Sequence, residues 1–176
     1  MKKSLQILIG SMIIAFVFNA CGGGQTSQVK TESKEQDTAV KVQSTGGGAD
    51  DMAIVAINKQ AKGFYVDGFA GGTSTISKNR NLENMKKIVK LVKPLIDKLP
   101  DGYVMEITGH CAAYESEAER QRVSENRAKM VYEELKKAGA AADKMTYRGA
   151  GSDEPLSGVD PKSTKQRRVS FLAVKK

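Results

Sequence analysis

The hydrophobic period changes within residues 104–127, and this change is the strongest constraint on the fold. Alternating residues from Val104 to Gly109 predict a strand with one apolar face. Gly109 permits a close turn where this strand ends. From Val123 onward, apolar residues recur at helical spacing. The segment therefore predicts a strand that turns into a polar loop and a helix, with the loop and the helix start directed at one spot.

Further elements flank this corner on both sides. Residues 64–66 predict a short strand between glycines, and an apolar stripe over residues 82–99 predicts a helix. Pro94 is expected to kink that helix or to end its first part. Residues 145–149 and 169–173 alternate in polarity and are typical of strands. The chain therefore supplies strands and helices in alternation, followed by a final pair of strands.

The predicted order is β-α-β-α-β-β, which is an α+β fold. This order implies two right-handed crossovers, with two helices packed on one face of a mixed sheet. Gly139 is expected to end the second helix as a C-cap. Residues 52–57 form an apolar run that periodicity assigns neither to a strand nor to a helix. Globular structure is expected from residue 51 to residue 176.

Several short motifs follow one another along this predicted fold. They are Gly109-His110-Cys111-Ala112, Arg120, Val123-Ser124, Arg127-Ala128, Gly149-Ala150-Gly151 with Glu154-Pro155, and Gln166-Arg167-Arg168-Val169. In order and spacing they resemble the GHTD, NxxLSxxRA, GxGxxxP and NRRV motifs of the OmpA-like domain. That domain is the peptidoglycan-binding module of outer-membrane protein A, of the peptidoglycan-associated lipoprotein and of flagellar stator proteins. The resemblance implies the same α+β fold.

The resemblance also implies a ligand, because two family residues clamp the diaminopimelate of the cell-wall stem peptide. An Asp at the position of Ala112 takes its ammonium, and the Arg at the position of Arg127 takes its carboxylate. This chain keeps Arg127 and lacks the Asp. An ammonium desolvated without an acceptor costs about 1–3 kcal/mol or more. Peptidoglycan binding is therefore expected to be weakened, shifted to a different diamine, or restored by Glu115 or Glu117.

The candidate peptidoglycan-binding residues share the loop and helix of this corner or the motif before the last strand. They are Arg127, Ser124, His110, Ala112, Glu115 and Arg168. Arg127 is interpreted as lying at the helix start, where a guanidinium needs an anion because the helix dipole is positive there. A salt bridge to Glu115 or Glu117 is the structural alternative. By resemblance, Arg168 lies near the pocket and braces its acidic side, whereas His110 has a structural hydrogen-bonding role as its alternative.

The first fifty residues have the composition of an export signal and a tether. Residues 1–20 carry Lys2 and Lys3 before an apolar run that is short for a membrane span, as in a signal peptide. Cys21 follows Ala20 and precedes three glycines, which resembles a bacterial lipobox and predicts a lipid anchor at Cys21. Ordinary signal-peptidase cleavage is the alternative. Residues 21–50 lack aromatic residues and predict a flexible linker.

Composition and residue counts limit the function classes. The net charge of +8 is compatible with an anionic polymer or lipid headgroups, but no nucleic-acid motif is present. His110 and Cys111 suggest a nucleophile and its base, yet neighbours on an extended segment project to opposite faces, so no enzyme activity is expected. One His and one Cys in the predicted domain are too few ligands for a closed zinc site, and no cofactor is expected. A disulfide between Cys111 and Cys21 is conceivable only without acylation of Cys21.

Two function classes remain. The first is an outer-membrane lipoprotein, with its domain in the periplasm, that binds peptidoglycan noncovalently. The second is a degenerate OmpA-like lipoprotein that no longer binds peptidoglycan and contacts an envelope protein partner through its basic surface or the loop at residues 150–165. Fold alone does not decide between them.

Overall fold

A computed structural model describes residues 48–114 and 116–176. Its helices are α1 (Gly48–Ala61), α2 (Asn79–Asp97) and α3 (Glu117–Lys137), and its strands are β1 (Tyr65–Val66), β2 (Tyr103–Gly109), β3 (Met145–Gly149) and β4 (Val169–Lys175). The predicted signal peptide, the lipid anchor at Cys21 and the linker through residue 47 lie outside the described residues, and so does Glu115. Within the described ranges, no helix combines the length and the apolar character needed to cross a bilayer.

The four strands form one mixed sheet in the order β1-β4-β2-β3. β2 and β3 are parallel, with Ile107 opposite Tyr147, as expected when a helix connects them. β4 is antiparallel to both of its neighbours, with Phe171 opposite Ile107 and Ser170 opposite Tyr65. The α+β fold predicted from the sequence is confirmed, and α1 is an additional helix before the first strand.

The core lies between α2, α3 and one face of the sheet. The apolar side of β2, with Met105 and Ile107, and the alternate residues of β4 all belong to one buried cluster with the inner faces of both helices. Pro94 does not end α2, which continues to Asp97. The proline removes one backbone hydrogen bond, but Leu95 and Ile96 beyond it are buried in the core.

The apolar run at residues 52–57 belongs to α1, which closes an exposed edge of β4. β1 is two residues long, so β4 extends beyond it and would present unpaired backbone groups to solvent. The side-chain amide of Asn58 occupies this edge. Its Nδ2 donates to the carbonyl oxygen of Ala173 at 3.0 Å, and the Ala173 N–H donates to Asn58 Oδ1 at 2.7 Å. The side chain of Asn58 on α1 therefore pairs with the backbone of β4 where a neighbouring strand would otherwise do so.

Gly109 is required by close packing. The sequence suggested that it permits a turn, but it belongs to β2 and lies directly under α3. A Cβ atom at Gly109 would stand 1.9 Å from the backbone oxygen of Ser124, and one at Gly149 would stand 2.5 Å from Ser124 Oγ. These two parallel strands thus end in glycines, which let the backbone of α3 approach the sheet at Ser124.

Candidate binding site

Arg127 lies ten residues after the start of α3 at Glu117, so its predicted position at the helix start is wrong. The helix N-terminus is set by Ser116, whose Oγ accepts the Glu119 N–H at 3.3 Å. The field of the helix dipole falls off within the first turn, so it does not demand an anion at Arg127. The side chain is nevertheless buried, with 1% of its surface exposed.

The buried guanidinium of Arg127 is held by backbone carbonyl oxygens. Nε donates to Thr73 at 2.8 Å, Nη2 donates to Ala70 at 3.0 Å, and Nη1 donates to His110 at 2.9 Å. The first two acceptors belong to the loop between β1 and α2, and the third follows β2. Arg127 therefore joins α3 to two loops and has a structural role. Its hydrogen bonds are strong because the donor is charged and the site is buried.

Aromatic and sulfur atoms also contact this guanidinium. The Cζ atom of Arg127 stands 5.2 Å from the centre of the Phe69 ring, within cation–π range. Nη1 also donates to Cys111 Sγ at 3.2 Å. Cys111 is buried and its N–H donates to the carbonyl of Gly151 at 2.6 Å. The thiol thus packs into the corner where the family motif has Thr.

The cleft beside Arg127 is small. Its volume is about 20 Å³, which admits roughly one water molecule. Ala112 and Arg167 line it together with Arg127 and the glycine pair Gly71 and Gly72. Ala112 is buried and contributes only a methyl group. Two arginines therefore line the cleft, and Ala112 offers no carboxylate at the position where the resemblance implies an acid.

Ser124 is fully buried and holds the loop after β3 against α3. Its Oγ donates to the carbonyl of Gln121 at 2.9 Å and accepts the N–H of Gly151 at 3.0 Å. Both bonds are internal to the domain. In the described structure Ser124 is a packing and hydrogen-bonding residue behind the cleft.

His110 is a buried neutral histidine at the end of β2. Its backbone N–H donates to the carbonyl of Arg168 at 2.8 Å, and its ring Nε2 is hydrogen-bonded to Ser170 Oγ at 2.8 Å. Burial lowers the pKa of His110 to about 3, and the positive charges of Arg168 and Arg148 contribute to the same shift. The ring is therefore uncharged at neutral pH, which matches the structural alternative considered for this residue.

Arg168 lies away from the cleft. Its Nη2 donates to the carbonyl of Glu154 at 2.9 Å, and its Nη1 donates to Gln166 Oε1 at 3.3 Å. Burial lowers the pKa of Arg168, and the charge of Glu154 opposes this shift. Arg168 therefore braces the loop before β4, while its neighbour Arg167 lines the cleft instead.

The structure thus brings only some of the candidate residues together. Ala112 and Arg127 line one cleft, His110 contributes its carbonyl oxygen to Arg127, and Ser124 lies behind them. Glu117 is exposed in the first turn of α3. Within the described ranges, no three His, Cys, Asp or Glu side chains are grouped as metal ligands would be.

The sequence did not reveal that the loop after β1 reaches Arg127. Its contribution consists of the carbonyl oxygens of Ala70 and Thr73, which every residue type offers. The glycine pair Gly71 and Gly72 was the available signal, since adjacent glycines let a backbone come close to a buried side chain. Gly72 has a φ of 62°.

A mixed four-stranded sheet with α2 and α3 on one face, and a strand that turns into α3 beside a buried arginine, defines the class of OmpA-like α+β domains. The model of the OmpA family matches residues 68–168, more than half of the chain. The chain belongs to the OmpA family.

One solved structure agrees with this assignment at the level of the fold, and further solved structures are similar to the chain. The OmpA-like domain of FopA1 from Francisella tularensis has a TM-score of 0.50 and 19% identity, covering 63% of this chain and 72% of that one. The C-terminal domain of Helicobacter pylori MotB has a TM-score of 0.49 and 20% identity, covering 62% and 83%. The peptidoglycan-associated lipoprotein from Burkholderia pseudomallei has a TM-score of 0.49 and 14% identity, covering 62% and 89%. No curated protein matches the chain in sequence.

Proposed function

We propose that this chain is a non-enzymatic outer-membrane lipoprotein, anchored through Cys21, whose periplasmic domain contacts peptidoglycan with weakened stem-peptide recognition. Membership of the OmpA family supports peptidoglycan as the partner. The apolar leader and the small residue before Cys21 support the anchor, and the Gly-rich residues after it suit a tether.

The occupied guanidinium of Arg127 is the observation on which weakened recognition rests. Each of its three nitrogens donates to a backbone carbonyl, and the cleft beside it admits about one water molecule. A ligand carboxylate that pairs with two of these nitrogens must therefore displace at least one internal acceptor, since the N–H groups of Nε and Nη1 are already bonded, and it must open the cleft. Leaving a buried carbonyl without its donor costs about 1–3 kcal/mol, or roughly a five- to 150-fold loss of affinity.

The methyl group of Ala112 removes a second source of affinity. A diamino acid presents an ammonium beside its carboxylate, and a buried ammonium requires an acceptor. Ala112 offers none. The predicted rescue by Glu115 or Glu117 stays a prediction: Glu115 lies outside the described residues, and Glu117 is solvent-exposed at the start of α3.

A second candidate function follows from the same contacts. If Arg127 serves only to join α3 to its two neighbouring loops, the domain is a scaffold that meets an envelope protein partner and leaves the wall unbound. The internal hydrogen bonds of the guanidinium favour this alternative.

Restoring the acid discriminates between the two functions. We expect Ala112→Asp to increase co-sedimentation with purified peptidoglycan severalfold. The new carboxylate would supply the acceptor that the ligand ammonium needs, beside the cleft that Arg127 lines. Ala113→Asp is the matched control, since this substitution adds the same charge at a neighbouring residue that does not line the cleft. Unmodified protein that sediments no more than an unrelated basic protein, and no gain on Ala112→Asp, would overturn wall binding and leave the scaffold function.

Removal of Arg127 is a poor test without a stability control. Arg127→Met leaves three carbonyl oxygens without their donor, so it lowers the free energy of unfolding by about 3 kcal/mol or more. Lost sedimentation would then reflect unfolded protein. Thermal unfolding of the same preparation separates the two causes.

The anchor has its own test. Intact-mass measurement of the protein from membranes should show cleavage before Cys21 and added acyl mass, and Cys21→Ser should release the chain from the membrane fraction. An unmodified thiol at Cys21 in membrane-derived protein would refute lipidation.

A further inference from the structure

A large groove lies between α1 and the sheet face that α2 and α3 leave uncovered. Its volume is about 800 Å³, within the range of small-molecule sites. Ser170, Phe171 and Leu172 of β4 line it. Ser170 and Leu172 lie on the face of the strand opposite to the core, in which Phe171 and Ala173 are buried. Val55 of α1 lines the opposite wall.

The walls of this groove are unusually apolar for an exposed surface. Val55 is 68% exposed, Leu172 49% and Tyr65 48%. These are three of the six large hydrophobic side chains that are exposed within the described ranges, and all three line the one groove. Apolar side chains grouped in this way indicate a site for an apolar ligand.

The charged groups of the groove have one sign. Lys59, Lys62 and Arg168 line it, and no Asp or Glu is among the lining residues. Both lysines are exposed: Lys59 lies in the last turn of α1, and Lys62 follows the helix directly. The chemistry complementary to this groove is therefore an apolar body with an anionic group.

The uncharged polar groups distinguish a hydrocarbon from a peptide. Both amide atoms of Asn58 are bonded to Ala173, and Ser170 Oγ is bonded to His110. Few uncharged side-chain groups are left to satisfy the backbone N–H and C=O groups of a bound peptide, which are costly to bury alone. A hydrocarbon chain has no such requirement.

We propose that this groove binds a single-chain anionic amphiphile, with its hydrocarbon along Val55, Tyr65 and Leu172 and its carboxylate or phosphate at Lys59 and Lys62. The ligand enters as a monomer from water. The proposal does not depend on peptidoglycan binding, because the cleft beside Arg127 shares no lining residue with the groove.

Fluorescence titration of the full chain with cis-parinarate, without detergent and below its critical micelle concentration, tests the proposal. We expect saturable binding with a dissociation constant of about 10–100 µM and displacement by palmitate. Leu172→Glu should weaken binding at least about tenfold, because it puts a carboxylate on the apolar wall. Leu91→Glu is the matched control, since Leu91 is 50% exposed on α2 and lies outside the groove.

Residues 1–47 are the same in both variants, so any parinarate that they bind contributes equally to the two titrations. Equal affinity of the Leu172→Glu and Leu91→Glu variants would overturn the proposal, provided that both variants keep the thermal unfolding midpoint of the parent.

The anionic headgroup has a separate test. The double variant with Lys59→Ala and Lys62→Ala should weaken palmitate binding about two- to fivefold and leave displacement by hexadecanol unchanged. Equal effects on both competitors would refute the assigned headgroup position. Leu172-dependent sedimentation with phosphatidylglycerol vesicles, in the absence of parinarate binding, would show a bilayer-docking face and overturn the monomer site.

Discussion

The cleft beside Arg127 and the groove beside α1 differ in what fills them. In the cleft, a guanidinium is bonded to three carbonyl oxygens and the remaining space is about 20 Å³. In the groove, Val55 and Leu172 are exposed along a space of about 800 Å³. The cleft is closed by internal polar contacts, whereas the groove is open and apolar.

The family match explains the cleft better than the groove. The range 68–168 contains the corner after β2, α3 and Arg127. α1 and Tyr65 precede that range, and Leu172 follows it. Family membership therefore informs the fold around the closed cleft, while the apolar groove is formed mainly by residues outside the matched range. Recognition of a family need not locate the surface on which a particular member acts.

Gly109→Ala tests how tightly the corner behind the cleft is packed. We expect a loss of more than about 3 kcal/mol in the free energy of unfolding, because the new methyl group would meet the Ser124 oxygen at 1.9 Å. Urea denaturation measures this loss. Gly63→Ala is the control, since its Cβ would meet no atom closer than 3.7 Å. A change below about 1 kcal/mol for Gly109→Ala, on the order of an ordinary surface effect, would mean that the corner yields easily.

His110 connects the two regions, because its carbonyl oxygen accepts from Arg127 and its ring bonds Ser170 in the groove. Its folded-state pKa of about 3 lies below the unfolded value of 6.5. The unfolded chain therefore takes up the proton first, so the stability from neutral His110 is complete above pH 6.5 and is lost as the pH falls towards 3.

We expect the free energy of unfolding to fall by about 2–3 kcal/mol through this residue between about pH 6.5 and pH 4.5. Urea titrations at several pH values, compared with His110→Gln, isolate it from the carboxylates. Parallel pH profiles for the two proteins would contradict a buried neutral imidazole. His110 is the one histidine of the chain, so its NMR titration checks the pKa directly.

Asn58→Ala tests the wall of the groove and has the smallest expected effect. Losing both hydrogen bonds to Ala173 should cost about 1–2 kcal/mol, since part of that edge is reached by water. Gln60→Ala on the exposed side of α1 is the control and should change stability by less than about 0.5 kcal/mol. If the two variants unfold alike, α1 is not held by Asn58 and the groove wall is loose.

Much of the fold was predictable because its elements carry clear periods. The alternation from Val104 to Gly109 and the helical spacing after Val123 placed the corner, and the motifs placed the family. α1 was ambiguous because a continuous apolar run suits a buried helix or a strand equally. The helix is decided by the burial of Ile57 and Ala61 and by the contact of Asn58 with β4, a strand that is remote from α1 in the sequence.

The state of the cleft was less predictable. The position of Arg127 well inside α3 could have been found, because Ser116 and Glu119 have the spacing of a capping box and mark the helix start. The carbonyl acceptors of Ala70 and Thr73 have no side-chain signature, so the occupation of the guanidinium needed coordinates. The exchange of Asp for Ala112 was visible in the sequence, but the closed space beside it was not.

The pairing of Asn58 with Ala173 sets the order in which the domain can be completed. These two residues are 115 positions apart in the sequence. A ribosome makes α1 first among the described elements, yet the two peptide groups that Asn58 binds belong to β4, which is made after the other described strands and helices. The two hydrogen bonds of Asn58 therefore form only after β4 has been synthesised, so they mark a sheet in which every strand is present.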